Sequence, residues 1–201
     1  KNLTMGKTLI VGGTKGIGGE IAQLLENKEC VLFSREAHSV SSNNHVHYQL
    51  DVADGNFPDI EDISSIVYCP GTINLKPFRS LKEEDFQNDF DVNFLGAVKV
   101  IHYYQRALSK AENASIILFS TVAVNQGMNF HASIASAKGA VEGLTKSLAA
   151  EFAGKIRVNC IAPSLTDTPL AQGILRNEDA IKRSNERHPS KRINTASDVA
   201  K

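Results

Sequence analysis

Thr8-Leu9-Ile10-Val11-Gly12-Gly13-Thr14-Lys15-Gly16-Ile17-Gly18 is the stretch on which the fold turns. A short apolar run closed at once by glycines reads as a buried strand entering a tight turn. Ile17, Ile21, Leu24 and Leu25 then recur at helical spacing, which predicts a helix from about Gly16 to Asn27. Lacking Cβ atoms, Gly12 and Gly16 let the backbone turn sharply and a pyrophosphate approach, while Gly18 lets the helix pack closely on the sheet. The helix start adds unpaired N–H groups and the positive end of its dipole. With Thr14, Lys15 and Ile17 completing the loop, the stretch reads as a dinucleotide-binding turn; a glycine-rich connection without a ligand is the plain alternative. No Lys-Ser or Lys-Thr pair follows, which excludes a P-loop.

Outward from this turn, apolar runs alternate with longer helical patterns. Cys30–Phe33, Val46–Leu50, Ile66–Cys69, Ile116–Phe119 and Ile156–Ile161 read as strands two to six. A helix is predicted from about Glu83 to Ala111, with Val92, Gly96, Val100 and Tyr104 on one stripe. Another, from about Ala132 to Ala153, carries Val141, Leu144, Leu148 and Phe152. Ser34–His45 and Ala53–Asp62 lack a helical period, so loops or a single turn are expected after strands two and three. The expected fold is α/β: a Rossmann-type, doubly wound parallel sheet in one domain over residues 1–201, with those two crossovers shortened.

Composition agrees with one ordinary globular domain. The 201 residues (21.8 kDa) are 42% hydrophobic, 22% charged and 6% aromatic. Such a chain buries roughly 70% of its unfolded surface and needs no disulfide or structural metal. Cys30, Cys69 and Cys160 are odd in number and far apart, which excludes a C-x-x-C pair and predicts no metal site. Twenty-two Lys and Arg match 22 Asp and Glu, so no overall field recruits nucleic acid or an anionic membrane. A small-molecule partner is expected instead. Lys1–Thr14 lacks a signal-peptide pattern, and no apolar run reaches the ~20 residues of a membrane span, so a cytoplasmic location is expected. The basic cluster Arg183–Arg192 reads as a solvated helix end and loop.

The loop Gly12-x-x-x-Gly16-Ile17-Gly18 resembles that of the short-chain dehydrogenase/reductase family, and the resemblance runs nearly from end to end. Leu50-Asp51-Val52 is similar to the family segment whose Asp meets the adenine amino group and whose Val stacks nearby. Cys69-Pro70-Gly71 stands where the family has Asn-Ala-Gly. Asp91-Val92-Asn93 with Gly96 resembles its Val-Asn-x-x-Gly, Ser120-Thr121 its Ser-Ser, and Ala135-Ser136-Ala137-Lys138-Gly139-Ala140 its Ser-Ala-Ser-Lys helix start. Arg157–Pro163 resembles the end of its sixth strand. Pro163-Ser164-Leu165-Thr166-Asp167-Thr168 is similar to Pro-Gly-x-x-x-Thr, where backbone groups and the Thr hold the carboxamide; Ser164 replaces the usual Gly. Family members continue past Ala196–Ala200 into a further helix and a seventh strand, neither of which is evident here: either the chain is cut short or the sheet stops at six strands, with a homodimer or homotetramer left open.

Cofactor choice follows from charge. NAD needs a carboxylate at the end of strand two, whereas a 2′-phosphate needs cations. Phe33-Ser34-Arg35 stands there, with Lys15 in the glycine loop, so NADP(H) is expected: Arg35 and Lys15 as cations and Ser34 as hydroxyl donor. Two exposed cations without function are the alternative.

The resemblance also implies a catalytic Asn-Ser-Tyr-Lys set. Asn93 fills the Asn position, where the family bends a helix around a relay water, and Thr121 fills the Ser position with its hydroxyl retained. Lys138 would bind the nicotinamide ribose. The Tyr position, four residues before that Lys, is Ile134, which can neither donate a proton nor polarise a carbonyl. Some enoyl-thioester reductases of the superfamily place the Tyr seven residues before the Lys; seven before Lys138 is His131, the expected substitute acid. An exposed loop histidine is the alternative for His131, and a turn-capping hydroxyl for Thr121. The activity implied is NADPH-dependent reduction of a carbonyl or enone with a non-standard proton donor. A nucleotide-binding protein without turnover is the second reading, and a plain interaction scaffold the third.

Overall fold

A computed structural model of the chain describes residues 6–38 and 42–201. Its six main strands are β1 (Lys7–Val11), β2 (Cys30–Ser34), β3 (His45–Gln49), β4 (Ile63–Tyr68), β5 (Ala114–Phe119) and β6 (Ile156–Ile161). All pair in parallel, in the order β3-β2-β1-β4-β5-β6. The order reverses between β1 and β4, which opens a crevice at the C-terminal ends of the central strands. Leu9, Ile10 and Val11 of β1 and Ile66, Val67 and Tyr68 of β4 are buried because helices cover both faces.

Seven helices accompany the strands among the described residues: α1 (Gly16–Leu24), α2 (Glu83–Phe90), α3 (Gly96–Leu108), α4 (Ala123–Gln126), α5 (Ala132–Glu151), α6 (Glu178–Arg187) and α7 (Ala196–Ala200). One face buries Leu9, Val11, Ile66 and Ile116 with Val100, Tyr104 and Val141 of α3 and α5. The other buries Ile10, Leu32 and Val67 with Ile17, Ala22 and Val199 of α1 and α7. Beyond the sheet, β7 (Thr166–Asp167) and β8 (Asn194–Thr195) form a separate parallel pair. Among the described residues no helix is long and apolar enough to cross a membrane.

The thin crossovers are as expected. Among the described residues no helix joins β2 to β3, and a single 3-10 turn at Val52–Asp54 is the only helical piece between β3 and β4. Aromatic packing holds this second connection in place: Phe33 stacks on Phe57 with centroids 6.3 Å apart, and Tyr104 Oη donates to the Pro58 carbonyl at 2.7 Å. Helix α1 stops at Leu24 and continues only as a turn, three residues short of the expected Asn27.

The single helix expected from Glu83 to Ala111 is instead two helices joined by a π-helical turn at Asp91–Leu95. Side chains competing for backbone groups explain the break. Tyr68 Oη donates to the Val92 carbonyl at 2.6 Å, and Asn93 Nδ2 donates to the Asp89 carbonyl at 2.8 Å. Gly96 makes room, since a Cβ there would stand 2.1 Å from Tyr68 Oη. Helix propensity alone favours Gly96→Ala by about 1 kcal/mol, whereas overpacking a core costs about 1–3 kcal/mol. With so short an approach the clash wins: Gly96→Ala is expected to destabilise the fold by about 2 kcal/mol in urea unfolding. Adding Tyr68→Phe should recover most of that loss, and a Gly96→Ala protein as stable as its parent would contradict the assigned contact.

Candidate functional site

The glycine loop sits at the reversal of strand order. Gly12 and Gly16 have φ of +73° and +54°, in the left-handed region that side-chain-bearing residues avoid. A Cβ on Gly12 would lie 3.3 Å from Pro70 N, and one on Gly16 3.6 Å from Thr168 Cβ. The loop therefore meets Cys69-Pro70-Gly71 after β4 and Thr166–Thr168 after β6, three segments far apart in sequence. The first turn of α1 carries no acidic residue to compete for an anion. Thr166 is buried, with Oγ1 donating to the Ser164 carbonyl at 3.0 Å, and the Pro163 carbonyl accepts Val122 N–H at 3.2 Å. Thr14 and Ile17 complete the loop and the first turn of α1, both half-buried.

At the β2 end the charges are partly engaged. Lys15 is ion-paired with Glu36, both exposed, and this pairing pulls the Glu36 carboxyl below its ordinary range. Ser34 Oγ donates to the Glu36 carbonyl at 2.7 Å and meets His47 Nε2 at 2.8 Å. Arg35 is exposed. Asp51 Oδ1 accepts Ala53 N–H at 2.9 Å and caps the turn that follows β3; Val52 packs toward Gly96.

The catalytic candidates gather around Gly71. A Cβ there would lie 3.2 Å from Asn93 Oδ1, 3.7 Å from Lys138 Nζ and 3.7 Å from Leu170 Cδ2. Lys138, on α5, is only 9% exposed and donates to the Phe119 carbonyl at 2.9 Å. Burial pulls its ammonium down to about 8, while Cys160, Cys69 and Asp89 act in the opposite direction. Burial likewise pushes the Cys69 thiol up to about 12. Asn93 Oδ1 is buried with no hydrogen-bond partner. Ile134 is 5% exposed, one helical turn before Lys138.

Two expected residues share no hydrogen bond with this group. Thr121 Oγ1 accepts Ala123 N–H at 3.3 Å, a turn-capping contact. His131 precedes α5, and its Nδ1 lies 2.7 Å from the Asn129 carbonyl. Its imidazole lines a groove of about 460 Å³ with Lys76, Phe78, Val124, Met128 and Phe130, and no hydrogen bond joins it to Lys138, Asn93 or Thr121.

Comparison with known proteins decides the family. The family model described as Enoyl-(Acyl carrier protein) reductase matches residues 11–201. The chain belongs to the short-chain dehydrogenase/reductase family. A human 3-hydroxyacyl-CoA dehydrogenase type-2 is 31% identical over 76% of this chain and 61% of its own length. A 3-oxoacyl-[acyl-carrier-protein] reductase of Chlamydia muridarum is 27% identical over 85% of this chain and 79% of its own. The chain spans about a third (34%) of a bifunctional ribulose 5-phosphate reductase/CDP-ribitol pyrophosphorylase of Haemophilus influenzae, at 28% identity over 81% of this chain. Among solved structures, ElxO with NADP bound superposes with a TM-score of 0.85 at 28% identity, covering 98% of this chain and 88% of that one. A short-chain dehydrogenase family protein from Francisella tularensis shares the fold, with a TM-score of 0.87 at 23% identity over 98% of this chain and 88% of its own.

Within this short-chain dehydrogenase/reductase frame, four residues escaped the sequence reading. Asp89, Thr72 and Ser133 form one hydrogen-bonded group with Asn93. Asp89 carried a signal: it stands four residues before Asn93, on the stripe that continues to Ala97 and Val100, where an acidic residue is out of place. Glu36, paired with Lys15, had none, because the loop and the end of β2 meet only in three dimensions.

Proposed function

We propose that this single domain is an NADP(H)-dependent reductase of a carbonyl or enone group whose proton donor is not the family's phenol. The observation that carries the reading is the environment of Lys138. An ammonium has three protons to donate, yet a single acceptor, the Phe119 carbonyl, is provided among the described residues. Burying the rest of that capacity is costly unless a polar ligand completes it. Ribose hydroxyls reaching past Gly71 fit that need, and the orphaned Asn93 Oδ1 offers an acceptor at the same place. The backbone N–H groups of Gly12–Gly18 would take the pyrophosphate, with Asp51 and Val52 at the adenine, and Pro163, Thr166 and Thr168 at the carboxamide. A nicotinamide bound there would supply hydride. The chain's own part is to hold substrate against that face, with Thr121 orienting the oxygen, and to deliver a proton. His131, at the groove bounded by Phe78, Met128 and Phe130, is the candidate acid; with Nδ1 engaged by Asn129, Nε2 is the nitrogen left for substrate. The apolar lining of that groove supports a small organic substrate.

The test is transfer of deuteride from stereospecifically labelled NADPH to ketones, 3-oxoacyl thioesters and enones. Deuterated product, with most turnover lost but NADPH binding kept in His131→Ala, is the expected result. The buried Ile134 favours the second reading, a nucleotide-binding protein without turnover. NADPH binding with no transfer to any of the three classes would decide for it.

The preference for NADP(H) rests on Arg35 and Lys15, and ElxO with NADP bound supports it. Exposed ion pairs such as Lys15–Glu36 are weak and easily exchanged for a phosphate. Glu36→Gln frees Lys15 and is expected to tighten NADPH about two- to five-fold while leaving NADH unchanged. Arg35→Asp should weaken NADPH far more than NADH; equal effects on both cofactors in fluorescence titrations would put the 2′-phosphate elsewhere.

A further inference from the structure

Asp89 lies at the end of α2, completely buried, where a carboxylate without donors would be strongly unfavourable. Both of its oxygens are supplied with donors: Thr72 Oγ1 donates to Oδ1, and Ser133 Oγ donates to Oδ2 at 2.6 Å. Those bonds set the polarity of everything attached to them. Thr72 spends its one proton on the carboxylate, so its oxygen is left to accept, and it takes one N–H of Asn93 Nδ2 at 2.8 Å. The second Nδ2 proton goes to the Asp89 carbonyl at 2.8 Å. With both donors consumed on the Asp89 side, Asn93 Oδ1 must face the other way, where Gly71 and Lys138 Nζ lie. The two ends of an amide are nearly equal in shape, so packing does not choose between them; two acceptors do, the Asp89 main-chain carbonyl and the Thr72 oxygen that the Asp89 carboxylate leaves free to accept. Were residue 89 neutral, Thr72 could turn its proton toward the amide, and the main-chain carbonyl of residue 89 would be left alone to hold Nδ2.

We infer that Asp89 is a positioning residue: its carboxylate, acting through Thr72, and its main-chain carbonyl together hold the Asn93 amide so that the carbonyl oxygen faces Lys138 and the reacting end of the cleft. The catalytic meaning of this rests on the reductase reading above, although the hydrogen-bond polarity does not. With Ile134 in place of a phenol, Asn93 and Lys138 are the polar side chains gathered beside Gly71, so the sign of the dipole facing the ammonium matters more here. The same carboxylate holds Ser133, the residue before Ile134, and so anchors the first turn of α5.

The charged and titratable groups acting on Lys138 are Asp89 from α2, Cys69 after β4 and Cys160 on β6. Burial pushes both thiols up, which leaves them protonated and uncharged at neutral pH. Asp89 thus supplies the anion and, through Asn93, the oriented dipole.

The test is titration of Lys138 in the nucleotide-free protein, followed by NMR of 13C-labelled lysine and assigned with Lys138→Arg. The parent is expected to titrate near 8, below ordinary lysine because of burial. Asp89→Asn should move the midpoint down by roughly half a unit to one unit. Thr72→Val keeps the charge of Asp89 but removes one of the amide's two acceptors and loosens it, and it should move the midpoint in the same direction, while Thr72→Ser restores the parent value. If Asp89→Asn fails to fold by circular dichroism, the Thr72 pair carries the test alone. An unchanged midpoint in Thr72→Val overturns the positioning route, whether or not Asp89→Asn shifts. A parent protein that shows the expected Lys138 shifts but does not bind NADPH would reject the reductase reading and leave this inference standing.

Discussion

Gly18→Ala is expected to lower NADPH affinity about 100-fold, an energy of about 2.7 kcal/mol, while the protein stays folded. A single Cβ at this position would stand 2.3 Å from the Gly12 carbonyl oxygen, 2.9 Å from its carbon and 3.2 Å from Gly13 Cα. All three contacts are backbone, so no side chain can swing away to relieve them. Either α1 withdraws from the loop or the loop opens, and both movements separate the helix N-terminus from the site of the pyrophosphate. Overpacking costs of about 1–3 kcal/mol fall below the 5–15 kcal/mol stability of an ordinary domain, and the strain is confined to one turn. Fluorescence titration alongside a thermal melt separates loss of binding from loss of fold. Binding within a few-fold of the parent would remove the glycine loop from the cofactor site.

Ile134→Tyr is expected to raise ketone reduction roughly 100-fold, within the range that a positioned general acid contributes. Ile134 and Lys138 are four residues apart on α5 and share a face, so a phenol introduced at 134 projects toward the Lys138 ammonium. A cation beside it favours the phenolate and lowers the phenol's pKa, the property a proton donor at neutral pH requires. The larger ring costs about 1–3 kcal/mol in a site where Ile134 is already buried. Ile134→Phe imposes the same packing without the hydroxyl, and it should show no gain. A Tyr variant no faster than the Phe variant, with NADPH binding intact in both, would mean that the cleft lacks more than an acid.

Most of the fold was legible because each layer of the sequence agrees with the next. The apolar strands, the glycines at the first turn and the helical stripes all require one parallel sheet, and the poor helical patterns after β2 and β3 match crossovers that, among the described residues, hold no more than a single 3-10 turn. The π-helical turn at Asp91–Leu95 was not legible, because it results from Tyr68 and the Asn93 amide competing for backbone carbonyls, contacts that no periodicity encodes. The same limit applied to the site. Residues defined by chain-local motifs, such as Gly12, Gly16, Gly71, Asn93 and Lys138, converge in space. Asp89, Thr72 and Ser133 come from three separate elements and are joined only by hydrogen bonds. Lys15 was read as a free cation because Glu36 is 21 residues away in sequence and beside it only in the folded chain.

The most direct test of the cofactor site is an equilibrium titration of NADPH against the parent protein and Lys138→Ala. The structure gives Lys138 a buried ammonium with donors to spare beside Gly71, so the parent should bind NADPH and the variant should lose about 10-fold in affinity, the equivalent of about 1.4 kcal/mol. That loss is expected whether or not a substrate is turned over, because the contact is with ribose hydroxyls. Unchanged affinity in Lys138→Ala, or no binding by the parent, would contradict the assignment of the crevice as an NADP(H) site.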